Sequence, residues 1–325
     1  MLIRHVAIVS QSDRLGLSEV NRVAAALSKQ VARDFGPIWG IRATVDAFEH
    51  LRDVPLGYWP VVVRDNIGYN AAGIHLDRNH QPFALVSSGS DWSLTASHEV
   101  LEMLADPFGN RLVAGESPVA SQGRVEFLVE VCDPSEAASY GYTVNSILVS
   151  DFYTPHYFDP VRAQGVRYSY TGAITEPRQV LQGGYLSWRN PITNEWFQET
   201  FFSGTRPQIR SLGMLSSKTE SLRSQVDRKT SELSMKAMLS ARVPDADATA
   251  DAGEVRMLAA RAGEATDARA EALEEDIAEV LGLDTEDEAG GEGDVLRGAA
   301  PKGSKRGGKG GDEGPDLRRP RGRKC

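Results

Sequence analysis

The stretch at residues 90–110, SDWSLTASHEVLEMLADPFGN, is the strongest constraint on what this chain can fold into. Asp91 or Ser93 can cap a helix there, because a short polar side chain accepts the orphan amide hydrogens of a first turn. Pro107 and Gly109 close it, since a proline pushes the residue before it, Asp106, out of the helical region. Between those ends Leu94, Leu101 and Leu104 fall on one apolar stripe. The pattern predicts a helix of about four turns with charged residues built into it.

The flanking sequence predicts a sheet on either side of that helix. Residues 3–9 alternate weakly as a strand, and residues 17–35 place Val20, Val23, Ala24, Leu27 and Val31 on one helical stripe that Gly36-Pro37 is expected to end. Short β-like runs follow at 41–48, 59–67, 73–77 and 83–88, divided by Gly, Asn and Pro. Beyond the helix, 124–134, 142–160 and 184–202 read as strands and hairpins, with Asn190-Pro191 and Thr193-Asn194 as turn chemistry. Trp188 and Trp196 flank that turn and read as a cross-strand aromatic pair. His75 and His80 have no carboxylate spacing around them and read as structural.

Composition adds a division of the chain. Of 325 residues, 41% are hydrophobic and 25% charged, as in soluble globular proteins. The net charge of −9 is unevenly placed: residues 245–294 carry −14, residues 295–325 carry +7, and residues 1–244 carry only −2. After residue 284 the chain is too polar and glycine-rich to offset chain entropy of ~1–2 kcal/mol per residue. The expected organisation is an α+β domain over 1–210, a helical, coiled-coil-like extension over 211–283, and a disordered Gly/Lys/Arg-rich tail over 284–325. Two cysteines, Cys132 in an apolar run and Cys325 at the end, argue against a disulfide framework. The N-terminus lacks an apolar region long enough for a secretion signal, and no stretch of about 18 apolar residues occurs, so a soluble cytoplasmic protein without membrane contact is expected.

His98-Glu99-Val100-Leu101-Glu102 is the stretch that points to chemistry. Helical residues four apart share a face, so His98 and Glu102 can reach one divalent ion about 2 Å from each ligand atom. Glu99 would stand beside a water on that ion as general base. This is the geometry of an HExxH site with the second histidine replaced by glutamate. Asp106 lies about 12 Å further along a continuous helix and reads as a cap or brace. Glu130, Asp133 or His156 can supply a further ligand, and Tyr153 or Tyr157 can donate to a developing oxyanion. Without a metal, Arg111 or Arg124 would have to neutralise the carboxylates. One histidine with acids admits zinc, manganese or iron.

The string ASHEVLEMLADP, followed some 24 residues later by VEVCDP, resembles the zincin-like pattern S-H-E-x-x-E-x-x-x-D-P, then E-x-x-D, of bacterial and phage proteins and, distantly, of plant exordium-type proteins. In those families the second segment is E-[IV]-G-D-x-C. Glu130 and Asp133 fall on its acidic positions, Cys132 replaces its glycine, and Ser135 stands where its cysteine would be. The resemblance spans about 80 residues. It implies a metallopeptidase-like domain with a helix, a sheet and an active-site helix.

Two classes of function follow. The first is a zinc-dependent, or other metal-dependent, hydrolase acting on a peptide or protein, with His98 and Glu102 as metal ligands, Glu130 or Asp133 as the third, and Glu99 as base. The second is a catalytically silent interaction protein, of a phage particle or another assembly, that self-associates through helices in 213–283. In either class the basic tail, Arg318, Arg319, Arg321, Arg323 and Lys324 with the lysines and Arg306 before them, offers non-specific contact with nucleic-acid phosphates.

Overall fold

A computed structural model describes residues 2–68, 71–78, 81–215 and 221–230. The predicted helix at 254–283, the tail at 284–325, Cys325 and His80 lie outside the described residues. The chain is a mixed α/β structure with few helices. In order it forms β1 (Arg4–Ser10), α1 (Leu17–Gln30), a π-helical turn (Val31–Phe35), α2 (Gly36–Trp39), β2 (Ala43–Phe48), β3 (Tyr58–Arg64), β4 (Gly73–Arg78), β5 (Gln81–Ser87) and α3 (Trp92–Ala105). Then come β6 (Leu112–Glu116), β7 (Arg124–Leu128), β8 (Tyr142–Val144), β9 (Ile147–Val149), β10 (Tyr185–Arg189), β11 (Glu195–Thr200), β12 (Gln208–Met214) and a helical segment at 222–230.

The first sheet has the order β2-β1-β3-β5-β4, parallel through β5, with β4 antiparallel at the edge. Parallel strands covered on both faces read as unbroken apolar runs, and Val6–Val9 of β1 are all buried. Alternation divides these strands between two cores. Val6, Ile8, Val61, Val63, Ala84 and Val86 meet α1 and α3; Ala7, Val9, Val62, Leu85 and Ile74 meet Leu51, Val54 and Ile67 on the opposite face. The second sheet, β12-β11-β10-β7-β6, is antiparallel throughout. Phe127 and Trp188 turn into the main core, whereas Leu128, Trp196 and Leu212 form a smaller patch on the other face.

Several expectations change. The first helix does not stop at Gly36-Pro37: the π turn widens the ladder, Pro37 sits in the first turn of α2 where an amide hydrogen is not required, and the helix ends at Gly40 in the left-handed region. Neither Asp91 nor Ser93 caps α3 by its side chain; the Ser93 hydroxyl donates instead to the Leu148 carbonyl. The apolar face of α3 is not a stripe, because its residues from Ala96 to Ala105 are buried all round. Trp188 and Trp196 are not a cross-strand pair. Trp188 lies opposite Phe197 and Trp196 opposite Arg189, and an offset of one residue sends the two indoles to opposite faces.

The predicted boundary at 210 falls inside β12. The helix expected from residue 213 is described from 222, where Leu222 and Val226, one turn apart, cover Leu128, Trp196 and Leu212. That stripe packs on the domain; residues 231–283, the rest of the segment expected to self-associate, lie outside the described residues.

Gly184, just before β10, allows the chain to pass against the turn after β7. A Cβ there would stand 2.5 Å from the Asp133 carbonyl oxygen and 2.6 Å from that of Pro134. Both neighbours are backbone, so Gly184→Ala is expected to destabilise the domain by about 1–3 kcal/mol in urea denaturation.

Candidate metal centre

Burial on every side decides what the polar residues of α3 must do. Ser97 is satisfied within the core: its hydroxyl donates to Gln30 Oε1 at 2.8 Å and accepts from the Ser150 amide at 2.9 Å. The three ionisable residues, His98, Glu99 and Glu102, point into a shared polar pocket roofed by the chain following β7. There Val131 and Cys132 remain in the core, and a 3-10 turn at Asp133–Ser135 reverses the chain. The Cys132 amide donates to Glu102 Oε1 at 3.1 Å, tying this segment to the helix. Glu130 and Asp133, three apart, both enter the pocket, as their spacing before a turn suggested.

The distances converge on Glu102. His98 Nε2 lies 3.3 Å from Glu102 Oε2 and 3.1 Å from Asp133 Oδ1. His75 Nδ1 lies 3.5 Å from Glu99 Oε2 and 3.7 Å from Glu102 Oε2. Arg223, from the helical segment 222–230, donates through one guanidinium nitrogen to Glu102 Oε2 and, at 2.5 Å, to Glu130 Oε1. Its Nε faces Asp227 at 3.3 Å. All of these side chains except Asp227 are nine-tenths buried or nearly so.

Charge follows from this packing. Burial pushes the Glu102 carboxyl upward, but Arg223 and then His98 overcome it and hold the group well below the usual carboxylate range. Burial alone would lower His98, yet Glu102 and Asp133 raise it well above the usual imidazole value. Glu130 is driven well up by burial, against the pull of Arg223. Burial and then Asp133 raise Glu136 to about 8. The Cys132 thiol is pushed up by burial and lies 3.8 Å from the His98 carbonyl oxygen, so it is not a ready thiolate.

Several buried polar atoms of the pocket have no hydrogen-bond partner: both ring nitrogens of His75, Glu99 Oε2, Glu130 Oε2 and both oxygens of Asp133. Native interiors leave few such atoms, and a cluster of them marks a place for water or an ion. The buried groups His98–Glu102–Cys132, His75–Glu99–Glu102, His98–Asp133–Glu136 and Glu102–Glu130–Asp133 each bring three possible ligand atoms within 4.8 Å of one another and could hold a metal ion. The separations of 3.1 and 3.3 Å around His98 match the spacing of about 3.3 Å between ligand atoms of a tetrahedral ion bound at about 2 Å.

His98, Glu99, Glu102, Glu130 and Asp133 are thus brought together. Asp106 ends α3, and its carboxylate accepts from the Arg111 amide at 2.7 Å, as a brace would. His156 is elsewhere, on an exposed turn beside Asp159 at 2.9 Å. Tyr157 donates to the Gln179 carbonyl, and the Tyr153 hydroxyl accepts from the Glu130 amide at 3.1 Å, so both serve packing and positioning. Neither Arg111 nor Arg124 neutralises the carboxylates. Arg111 donates to the Ala105 carbonyl and stacks over Trp39, Arg124 is exposed, and the buried cation is Arg223.

Sequence reasoning missed His75, Glu136 and Arg223. For His75 a signal existed: in β4, Ile74 pairs with Leu85 on the far face, so His75, opposite Ala84, must face α3.

Among the described residues no helix is long and apolar enough to cross a membrane. Comparison with known proteins gives no match: no family model, no curated protein and no solved structure is significantly similar to the chain.

Glu136 supplies a pH test. Its folded pKa of about 8 lies above the ordinary glutamate value, so the folded state binds the extra proton and stability falls as pH rises from about 4.5 toward 8. Without added metal, Glu136→Gln is expected to be increasingly stabilised relative to the native chain across that window, read as the difference in urea midpoints at pH 5 and pH 8.

Proposed function

We propose that the chain is a zincin-like, metal-dependent hydrolase acting on peptides. The observation that carries this reading is that His98 faces both Glu102 and Asp133, while Glu102, Glu130 and Asp133 bring ligand atoms within 4.8 Å of one another among buried acidic oxygens that the protein only partly satisfies. His98, Glu102 and Asp133 would hold the ion, with Glu130 as a further acidic ligand. When bound, a zinc or similar ion would supply Lewis acidity and lower the pKa of a coordinated water toward ~7.

The chain's own groups do the rest. Glu99 projects from the helix position next to His98 and keeps one oxygen free of hydrogen bonds beside His75, which suits it to take a proton and pass it on. His75, fully buried, stands 3.5 Å from that carboxylate. Among the described residues β4 is the outer strand of its sheet, and it packs against α3, so that edge suits an extended peptide laid beside the pocket. Gly73 keeps β4 close: a Cβ there would lie 2.5 Å from Thr95 Cγ2 and 2.6 Å from Glu99 Oε1.

One observation favours a second reading, a catalytically silent interaction protein. Arg223 already pairs with both Glu102 and Glu130 without any metal.

Elemental analysis separates the two. Purified protein is expected to carry about one equivalent of zinc or another divalent metal, and His98→Ala to lose it; a metal-free native protein that takes up none on incubation would sink the hydrolase reading. Glu99→Gln is expected to retain the metal and to lower any peptide hydrolysis by about 10²–10⁴-fold, the usual contribution of a general base.

A further inference from the structure

Arg223 stands out among the charged residues of the pocket because it comes from a different part of the chain. It is 121 residues from Glu102 and 93 from Glu130, and it arrives on a segment that lies over both. That segment is docked like a strap. Leu222 and Val226 sit on the patch of Leu128, Trp196 and Leu212; the Arg223 amide donates to the Gly109 carbonyl at 3.0 Å, and the Leu222 amide donates to Asn110 Oδ1 at 2.9 Å. Its anchor is therefore the loop that directly follows α3. Thr230 continues the contact to Gln198 on β11.

The position of the guanidinium is specific. One of its nitrogens contacts Glu102 Oε2, the same oxygen that lies 3.3 Å from His98 Nε2, and also Glu130 Oε1. A divalent ion shared by His98 and Glu102 would draw on that same oxygen. Two cations cannot use it at bonding distance without strong mutual repulsion in a pocket closed to water. Arg223 also differs from the unpaired groups around it: its positive charge is permanent, and Asp227, one turn on, faces its Nε.

We infer that residues 221–230 form an intrinsic plug, in which Arg223 occupies the cation position of the Glu102–Glu130 pair and competes with a divalent metal for it. Metal uptake then displaces the strap, and anything that holds the strap down keeps the pocket closed. This inference rests on the metal-binding reading of the same pocket.

The test uses the full-length chain and zinc itself. Zinc affinity is measured by competition with a chromophoric chelator for the native protein, Arg223→Ala and Val226→Ser. Trypsin cleavage after Arg223, followed by mass spectrometry, reports whether the strap has left. Arg223→Ala is expected to bind zinc at least tenfold more tightly than the native chain. Val226→Ser, which loosens the strap without touching a carboxylate, is expected to shift affinity in the same direction. In the native protein, zinc is expected to speed cleavage at Arg223 at least tenfold.

Equal zinc affinity in the native chain and Val226→Ser, with cleavage at Arg223 unchanged by bound zinc, overturns the plug and leaves the metal site standing. Absence of zinc binding in the native chain and both variants overturns the metal site and the plug together. Zinc binding by a variant but not by the native chain supports both. If Arg223→Ala fails to fold, the Val226→Ser affinity and the native cleavage rate decide.

Discussion

The structure depends on the burial of α3 on every side from Ala96 to Ala105. A helix covered on one side can turn its charges to water; this one cannot. Glu102 and its neighbours must therefore find compensation inside the protein, because an unpaired buried charge costs several kcal/mol. Glu102 obtains it from four directions: the Cys132 amide, the His98 and His75 rings, and the Arg223 guanidinium. Each of those partners belongs to a different element, so one carboxylate ties the chain after β7, the edge strand β4 and the segment at 222–230 to the central helix.

The first sheet determines which of these partners can arrive. Its parallel strands present one face to α1 and α3, and the antiparallel pairing of β4 with β5 places the odd-numbered residue His75 on that same face. A shift of one residue in this register would turn His75 away and bring Ile74 to the carboxylates. The second sheet contributes from the opposite side, where Gly184 admits β10 against the backbone of Asp133 and Pro134. The polar pocket is thus formed where the chain after β7, the strand β4 and the segment 222–230 meet one helix, with apolar clusters around it holding the geometry.

How much of this was legible in the sequence follows the range of the interactions. α3, its carboxylates and the acidic pair after β7 could be read because caps, helical spacing and a three-residue offset before a turn are local. Most strands were visible as punctuated apolar runs, although β6 and β12, which are short or half-exposed, were not. Trp188 and Trp196 were placed on the right hairpin but paired wrongly, since register depends on how many residues the turn consumes. Pro37 was read as a helix end because the π turn that accommodates it leaves no mark in composition. Arg223 was illegible: nothing in a polar, serine-rich stretch says that one arginine will be buried against residues about 90 to 120 positions earlier.

That separation has a consequence for the order in which the protein can be made. A ribosome releases α3 and the acidic turn well before residue 223, so for much of synthesis Glu102 and Glu130 exist without their guanidinium. A dry interior around α3 cannot close over them in that interval. The nascent domain keeps this pocket hydrated until residues 222–230 emerge, and its compaction around α3 follows their release.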